Sequence, residues 1–87
     1  MGSAEFIEWA KKTVLAYAQG RIDPTYNKIL FMDDVFVVWY CKTLQNHKAL
    51  LSTTLYDGMY YEFTYNGDNN EAYLDAYKKW ENMVVSR

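Results

Sequence analysis

The sequence is poor in the residues that build covalent, metal-held or phosphate-binding sites. Its 87 residues include one cysteine, one histidine, one proline and four glycines. One cysteine excludes an internal disulfide, and one cysteine with one histidine cannot supply the three or four ligands that zinc requires. The glycines, at positions 2, 20, 58 and 67, form no phosphate-cradling loop. We therefore expect no cofactor and no metal site.

Long apolar runs and an excess of basic charge are also missing. No stretch approaches the ~20 apolar residues of a membrane span, and Met1–Phe6 lacks the basic and apolar regions of a secretion signal. We expect a cytoplasmic protein without membrane contact, in which residues 1–3 fit an expression remnant as well as native sequence. The net charge of −2 and the pI of about 5.2 disfavour binding to phosphate backbones.

Apolar and aromatic residues are abundant instead. Hydrophobic residues make up 51% of the chain and aromatic residues 18%. Disordered chains are poor in aromatics and rich in net charge, so this composition indicates a folded chain. Because domains commonly contain about 50 to 250 residues, we expect residues 1–87 to form a single domain.

The hydrophobic pattern predicts an α+β fold. Helical spacing of apolar residues and strand-like runs separated by turn residues indicate five elements. These are a helix from Ser3 to Gln19, strands over Val35–Thr43, Ala49–Thr54 and Met59–Tyr65, and a second helix from Glu71 to Val84. The short connections predict an α-β-β-β-α order, with a three-stranded antiparallel meander and both helices packed on one face. Within the connection over residues 21–33, Ile29–Met32 fits either a short edge strand or a plug over the core.

Strict alternation along the strands predicts which sheet face stays open. Lys42 and Glu62 mark the face away from the helices, and Trp39 with Phe63 marks the covered one. The predicted open face then carries five apolar side chains where polar ones are usual: Phe36, Val38, Tyr40, Leu50 and Tyr60. Such a patch favours a protein-binding surface. The competing interpretations are that Ile29–Met32 covers it, or that the two faces are reversed.

Catalytic groupings are weak. Cys41, His47 and Asp33 or Asp34 contain the residue types of a nucleophile, base and orienting acid. However, we expect Cys41 to be an inert core cysteine within its strand and His47 to be solvated in a turn. The acidic pair Asp33-Asp34 fits local hydrogen bonding at the start of the first strand better than cation binding. We expect no enzyme activity and no small-molecule substrate.

Nucleic-acid binding is the alternative function. The predicted element order matches the double-stranded RNA-binding domain, but in order only, since the second predicted helix begins with Glu71 and Asp75 where basic residues would meet phosphates. Sheet aromatics such as Phe36, Tyr40 and Tyr60 could instead stack on bases. The acidic surroundings disfavour both modes.

Several stretches of the chain resemble an uncharacterised protein family. The main stretch is DDVFVVWYCKTLQN, from Asp33 to Asn46, and it continues through Lys48–Thr53. Similar stretches cover Asp57–Glu62, Thr64–Asp68 and Tyr73–Lys79. The family consists of small proteins of phages and prophages of Gram-positive bacteria, with no known activity. The resemblance implies a phage accessory protein in the bacterial cytoplasm that binds a protein, either a host or phage target or a second copy of itself as a homodimer. His47 replaces an aromatic residue at a loop position of that family.

Overall fold

The computed structural model describes residues 1–87 and places one α-helix against one face of a four-stranded antiparallel sheet. The strands lie side by side in chain order, β1 to β4. The elements are α1 over Ser3–Arg21, β1 over Val35–Thr43, β2 over Asn46–Thr53, β3 over Met59–Asn66 and β4 over Glu71–Lys78. No helix combines the length and the apolar composition that crossing a membrane requires.

The prediction of a second helix is wrong, and so is the prediction of a three-stranded meander with both helices packed on one face. Residues 71–78 form β4, which pairs with β3 from Asn66↔Glu71 to Met59↔Lys78. Without β4, one edge of β3 would present unpaired backbone N–H and C=O groups. The tyrosine-rich segment suits a strand, and alternation turns Ala72 and Leu74 toward the hydrophobic core. Residues 79–87 have no regular structure.

The first helix agrees with its sequence pattern to within two residues. Four residues at intervals of four are fully buried along its inner side: Phe6, Ala10, Val14 and Ala18. This spacing lines up side chains on one side of a helix, which explains why α1 lies flat on the sheet. The N-cap residue is Gly2, which makes no side-chain hydrogen bond.

The core lies between α1 and the first three strands. Leu51, Tyr61 and Phe63 are the largest apolar side chains that the sheet contributes to it. Trp9 closes one side by packing edge-on against Phe63, with ring centroids 5.0 Å apart. A buried leucine or aromatic side chain stabilises a fold by about 1.5–3 kcal/mol relative to exposure, so this layer holds the fold together.

The connection before β1 contributes one residue to the same core. Leu30 is buried, and its backbone N–H donates to Gln19 Oε1 over 2.7 Å, while its neighbours Ile29 and Phe31 are exposed. Ile29–Met32 forms no strand, so the prediction of an edge strand is wrong. The prediction that this segment plugs the core is right for Leu30 alone. Because this plug lies beside α1, it does not cover the opposite face of the sheet.

A β-bulge in β1 reverses the alternation on which the predicted faces depend. Val37 pairs with Leu51 and Trp39 with Leu50, so Val38 is an extra residue without a partner in β2. Residues before the bulge alternate as expected, whereas Trp39 lies on the open face and Tyr40 faces α1. A bulge places two residues opposite one and shifts the side-chain pattern by one position. The predicted placements of Trp39 and Tyr40 are therefore wrong.

Two hairpin turns interlock at one end of the sheet. Gly67, between β3 and β4, donates its backbone N–H to Asn46 Oδ1 over 2.9 Å, and Gln45 donates to the Asp68 carboxylate. A Cβ atom on Gly67 would overlap the backbone oxygen of Gln45, so only glycine fits there. At the other end, Gly58 forms the predicted turn between β2 and β3 with a φ of 69°.

Candidate interaction surface

The open face of the sheet, opposite α1, is here called the outer face. Cross-strand pairing arranges its side chains in rows that run from β1 to β4. The first row is Phe36, Ser52, Tyr60 and Tyr77, and the second is Trp39, Leu50, Glu62 and Asp75. No other part of the chain lies across these rows, since α1 and Leu30 pack on the opposite face.

Apolar side chains concentrate in these two rows and form a continuous surface, here called the aromatic patch: Phe36, Trp39, Leu50, Tyr60 and Tyr77. Phe36 is 46% exposed, Trp39 42% and Tyr77 52%. A groove of ≈ 360 Å³ opens beside Phe36 and Tyr60, with Leu55 and Lys79 among its lining residues. The patch therefore offers both a flat apolar surface and a depression at its edge.

The remainder of the outer face is polar and acidic. Lys48 forms an ion pair with Glu62 over 3.3 Å, and Asp75 lies directly opposite Glu62 in the pairing of β3 with β4. Tyr73 donates a hydrogen bond to the exposed carboxylate of Glu71. Along the second row the outer face thus changes from apolar at Trp39 and Leu50 to acidic at Glu62 and Asp75. This polarity gives a docked partner a preferred orientation.

The structure places the five predicted site residues in three different ways. Phe36, Leu50 and Tyr60 lie on the outer face as predicted. Val38 occupies the bulge and is 46% exposed. Tyr40 does not belong to this surface, because its ring packs against Phe6 beneath α1.

Two aromatic residues of the patch were missed by sequence reasoning. Trp39 was assigned to the covered face because the bulge was not foreseen. Tyr77 was assigned to a helix, although it alternates with Ala76 in a manner that also suits a strand. Tyr73, which lies outside the patch and two rows from Tyr77 along β4, was missed for the same reason. An alternation count over residues 71–78 was the available signal for both tyrosines.

A small polar cluster lies under the start of α1 instead of on the outer face. The Tyr40 hydroxyl is 2.6 Å from His47 Nδ1 and 3.3 Å from Ser3 Oγ, and Phe6 stacks on the imidazole at 4.9 Å. His47 is 2% exposed, so the prediction of a solvated histidine is wrong. Burial lowers the pKa of His47, with smaller contributions from Lys42 and the N-terminal amine. The cluster anchors the helix to the sheet, and burial favours the neutral form of its imidazole.

The residues considered for nucleophilic catalysis are not brought together. Cys41 is exposed and pairs with Lys48 on the outer face, so the prediction of a core cysteine is wrong. His47 lies on the covered side with its Nδ1 engaged by Tyr40. Asp34 accepts the backbone N–H of Phe31 over 2.8 Å, which lowers its pKa and confirms local hydrogen bonding as its role. This arrangement gives Cys41 no base.

The largest cavity, ≈ 500 Å³, lies between the end of α1 and the turn after β2. Its charged lining residues are Arg21, Asp23, Lys28 and Asp57. Asp23 accepts both the backbone N–H and the hydroxyl of Thr25, which lowers its pKa and engages it in the turn. Because the lining charges are mixed and partly engaged in local structure, the cavity favours no one ligand class.

Comparison with known proteins gives one match. The model of a family described as "Family of unknown function (DUF6275)" matches residues 7–87. No curated protein matches the chain. No solved structure matches it either.

Proposed function

The chain belongs to this family of unknown function (DUF6275), and we propose that it is a non-enzymatic protein-binding module whose binding surface is the outer face. One observation carries the proposal. The uncovered face of a two-layer antiparallel sheet is normally polar, yet here Phe36, Trp39 and Tyr77 are each between 42% and 52% exposed on it. Contiguous apolar patches of this kind mark interfaces.

The composition of the aromatic patch suits protein binding in particular. Tryptophan and tyrosine are enriched among the residues that dominate binding energy, because they hide a large area with few rotatable bonds. Trp39 lies on the edge strand β1, one row from Phe36 and beside Leu50. The acidic rim around Glu62 and Asp75 would keep solvent-exposed polar contacts at the edge, as in many interfaces.

The outer face supports base stacking less well. Its carboxylates Glu62, Glu71 and Asp75 lie on the same surface as the aromatics. Phosphates following a stacked strand would approach these negative groups, and Lys48, the cation that lies among them, is itself paired with Glu62. Protein binding is therefore the function that this face favours.

The cellular setting is part of the same proposal. The resemblance of the central stretch to small phage and prophage proteins of Gram-positive bacteria supports an accessory protein that acts in the cytoplasm of the bacterial host. A module without catalytic groups can act there by occupying a surface of another protein. The proposal requires only that the outer face be available for contact.

A pair of substitutions on the aromatic patch tests the function. Tagged wild type, Phe36→Ser/Trp39→Ser and a matched control, Tyr26→Ser, would be used to capture proteins from host lysate, with captured proteins identified by mass spectrometry. Tyr26 is an exposed aromatic residue away from the outer face. We expect a purified captured protein to bind wild type and control equally and the double variant at least about tenfold more weakly, a loss of about 1.4 kcal/mol.

Two results would refute protein binding through this surface. One is equal binding of the captured protein to wild type and to the double variant. The other is tight binding of a single-stranded oligonucleotide at ~50 mM salt, lost in the double variant, because phosphate contacts are strongest at low salt.

A further inference from the structure

The segment after β4 carries large apolar side chains that are mostly exposed to solvent. Residues 79–87, here called the tail, have the sequence KWENMVVSR and no regular structure. Trp80, Met83, Val84 and Val85 are between 70% and 97% exposed. Four large apolar side chains within six residues are a costly surface to leave in water, so the tail has the composition of a docking segment.

The tail begins beside the aromatic patch. Its first residue, Lys79, donates its backbone N–H to the Gly58 carbonyl over 2.7 Å and lines the groove next to Phe36 and Tyr60. The tail thus leaves the sheet at the apolar end of the outer face. A tail and a patch at the same end of the molecule can engage reciprocally when two copies meet across a twofold axis.

The local sequence directs the tail away from its own outer face. To fold back, the chain would have to reverse between Tyr77 and Glu81, and this stretch contains no glycine, proline, asparagine, aspartate or serine. The Cα radius of gyration is 14.4 Å, compared with about 12 Å for a compact chain of this length. The tail therefore extends outward, where a second molecule can receive it.

We propose that two copies of the chain exchange tails, so that each tail lies on the aromatic patch of the other copy. This inference rests on the proposed function and names the occupant of the outer face. In an extended tail, side chains alternate between two sides, so Trp80 and Val84 lie on the same side and can both act as anchors. Trp80 would contact Trp39 and Phe36, with Val84 crossing toward β4.

Reach and area are sufficient for a stable dimer. An extended segment of the length of Trp80–Arg87 spans up to about 27 Å, and the four strands of the receiving sheet are about 14 Å across. Each exchanged Trp80 would hide roughly 150–250 Å² and a comparable area of the patch, and the twofold axis doubles both, which gives roughly 600–1,000 Å² from these contacts. Stable specific interfaces hide about 1,200–2,000 Å². Val84 and the other exposed side chains of the tail would supply the remainder.

Charge on the outer face also matches the tail. Asp75 lies in the second row and takes part in neither ion pair of the structure, which are Lys12–Glu8 and Lys48–Glu62. The tail carries Lys79 and Arg87 with one acidic residue, Glu81. A docked tail would bring Lys79 and Arg87 near the acidic side chains of Glu62 and Asp75 on the other copy.

Sedimentation of three variants of the 87-residue chain tests the exchange. The tail variant is Trp80→Ser/Val84→Ser, the patch variant is Phe36→Ser/Trp39→Ser, and the control is Tyr26→Ser. The mass of wild type and control should rise toward twice the chain mass of 10.3 kDa as the concentration is raised to ~1 mM, and each double variant alone should stay monomeric. An equimolar mixture of the two double variants keeps one of the two tail–patch contacts, so it should associate more weakly than wild type and more strongly than either double variant alone.

Several outcomes would overturn the exchange. A wild type that stays monomeric at ~1 mM, a dimer that persists in either double variant, or a mixture that associates no more strongly than either double variant alone each contradicts it. Capture of a protein other than a second copy of the chain distinguishes failure of the tail exchange from failure of the proposed function. If that protein binds wild type and the tail variant alike but not the patch variant, the outer face is a binding surface and the tail is not its occupant.

Discussion

The two faces of the sheet differ although the same four strands supply both. Neighbouring residues of β2 illustrate the difference: Leu51 is fully buried under α1, whereas Leu50 lies on the outer face next to Trp39. The covered face excludes water by packing against one helix, and the outer face has no layer above it. The free energy of folding therefore depends on one face, which leaves the other able to change without unfolding the protein.

The largest expected effect separates these two leucines. Leu51→Ala should lower the free energy of unfolding by about 2–5 kcal/mol, because it removes a fully buried side chain and leaves a cavity. Leu50→Ala, its matched control on the outer face, should cost less than about 1 kcal/mol. Urea unfolding of both variants measures the difference. Equal losses would mean that the two faces are not energetically distinct.

The interlocked turns provide the next largest effect. Gly67→Ala should lower the free energy of unfolding by about 1–3 kcal/mol, because the new methyl group overlaps the backbone of Gln45. Gly20→Ala is the matched control, since a Cβ there meets nothing within 4 Å. Thermal unfolding of the two variants compares them. A Gly67 variant as stable as the Gly20 variant would contradict the close packing of the turns.

One substitution on the covered face should raise stability. The Tyr61 hydroxyl is buried without a hydrogen-bond partner, and burial raises its pKa. Removing an unpaired buried hydroxyl while keeping the ring should stabilise the protein by about 1 kcal/mol. Tyr61→Phe is the test, and Tyr60→Phe on the outer face is the control. A Tyr61→Phe variant clearly less stable than wild type would indicate that the hydroxyl has a partner in solution.

The smallest effect is a pH dependence that arises on the covered face. Because burial lowers the pKa of His47 below its ordinary value of 6.5, the unfolded chain takes up a proton before the folded protein does. The free energy of unfolding should therefore be largest above pH 6.5 and fall as the pH drops through the folded pKa. Lys42 and the N-terminal amine lower this pKa further, whereas a hydrogen bond to the Met1 carbonyl raises it.

The variant His47→Phe isolates that contribution. It retains the stacking on Phe6 and removes the titrating group, so its stability between pH 7 and pH 5 should be flatter than that of wild type. Urea unfolding across that range measures the two slopes. Identical slopes would show that His47 does not remain neutral in the folded protein.

The first helix could be predicted from the sequence and β4 could not, because the structure of the second segment depends on the strand with which it pairs. Both segments have apolar residues at helical spacing: Phe6, Ala10 and Val14 in one, Tyr73, Tyr77 and Trp80 in the other. The second segment also alternates, with Ala72 and Leu74 toward the core. Pairing with the edge of β3 decides between the two patterns, and that edge is a tertiary feature which local spacing does not contain.

Only part of the outer face could be predicted from the sequence, again because strand pairing decides the rest. Phe36, Leu50 and Tyr60 follow from simple alternation along their strands. Trp39, Tyr40 and Cys41 do not, because the bulge at Val38 depends on how β1 pairs with β2. Valines and aromatics on both sides of Val38 suit either face equally, so the local sequence carries no mark of the extra residue.

The single cysteine offers the most direct measurement of whether the outer face is covered. Cys41 is exposed on that face, two residues along β1 from Trp39. Its rate of alkylation by iodoacetamide should fall several-fold as wild-type concentration rises from ~1 µM to ~1 mM, and should stay constant for Trp80→Ser/Val84→Ser. A wild-type rate that is the same at every concentration would contradict coverage of the outer face by a second copy.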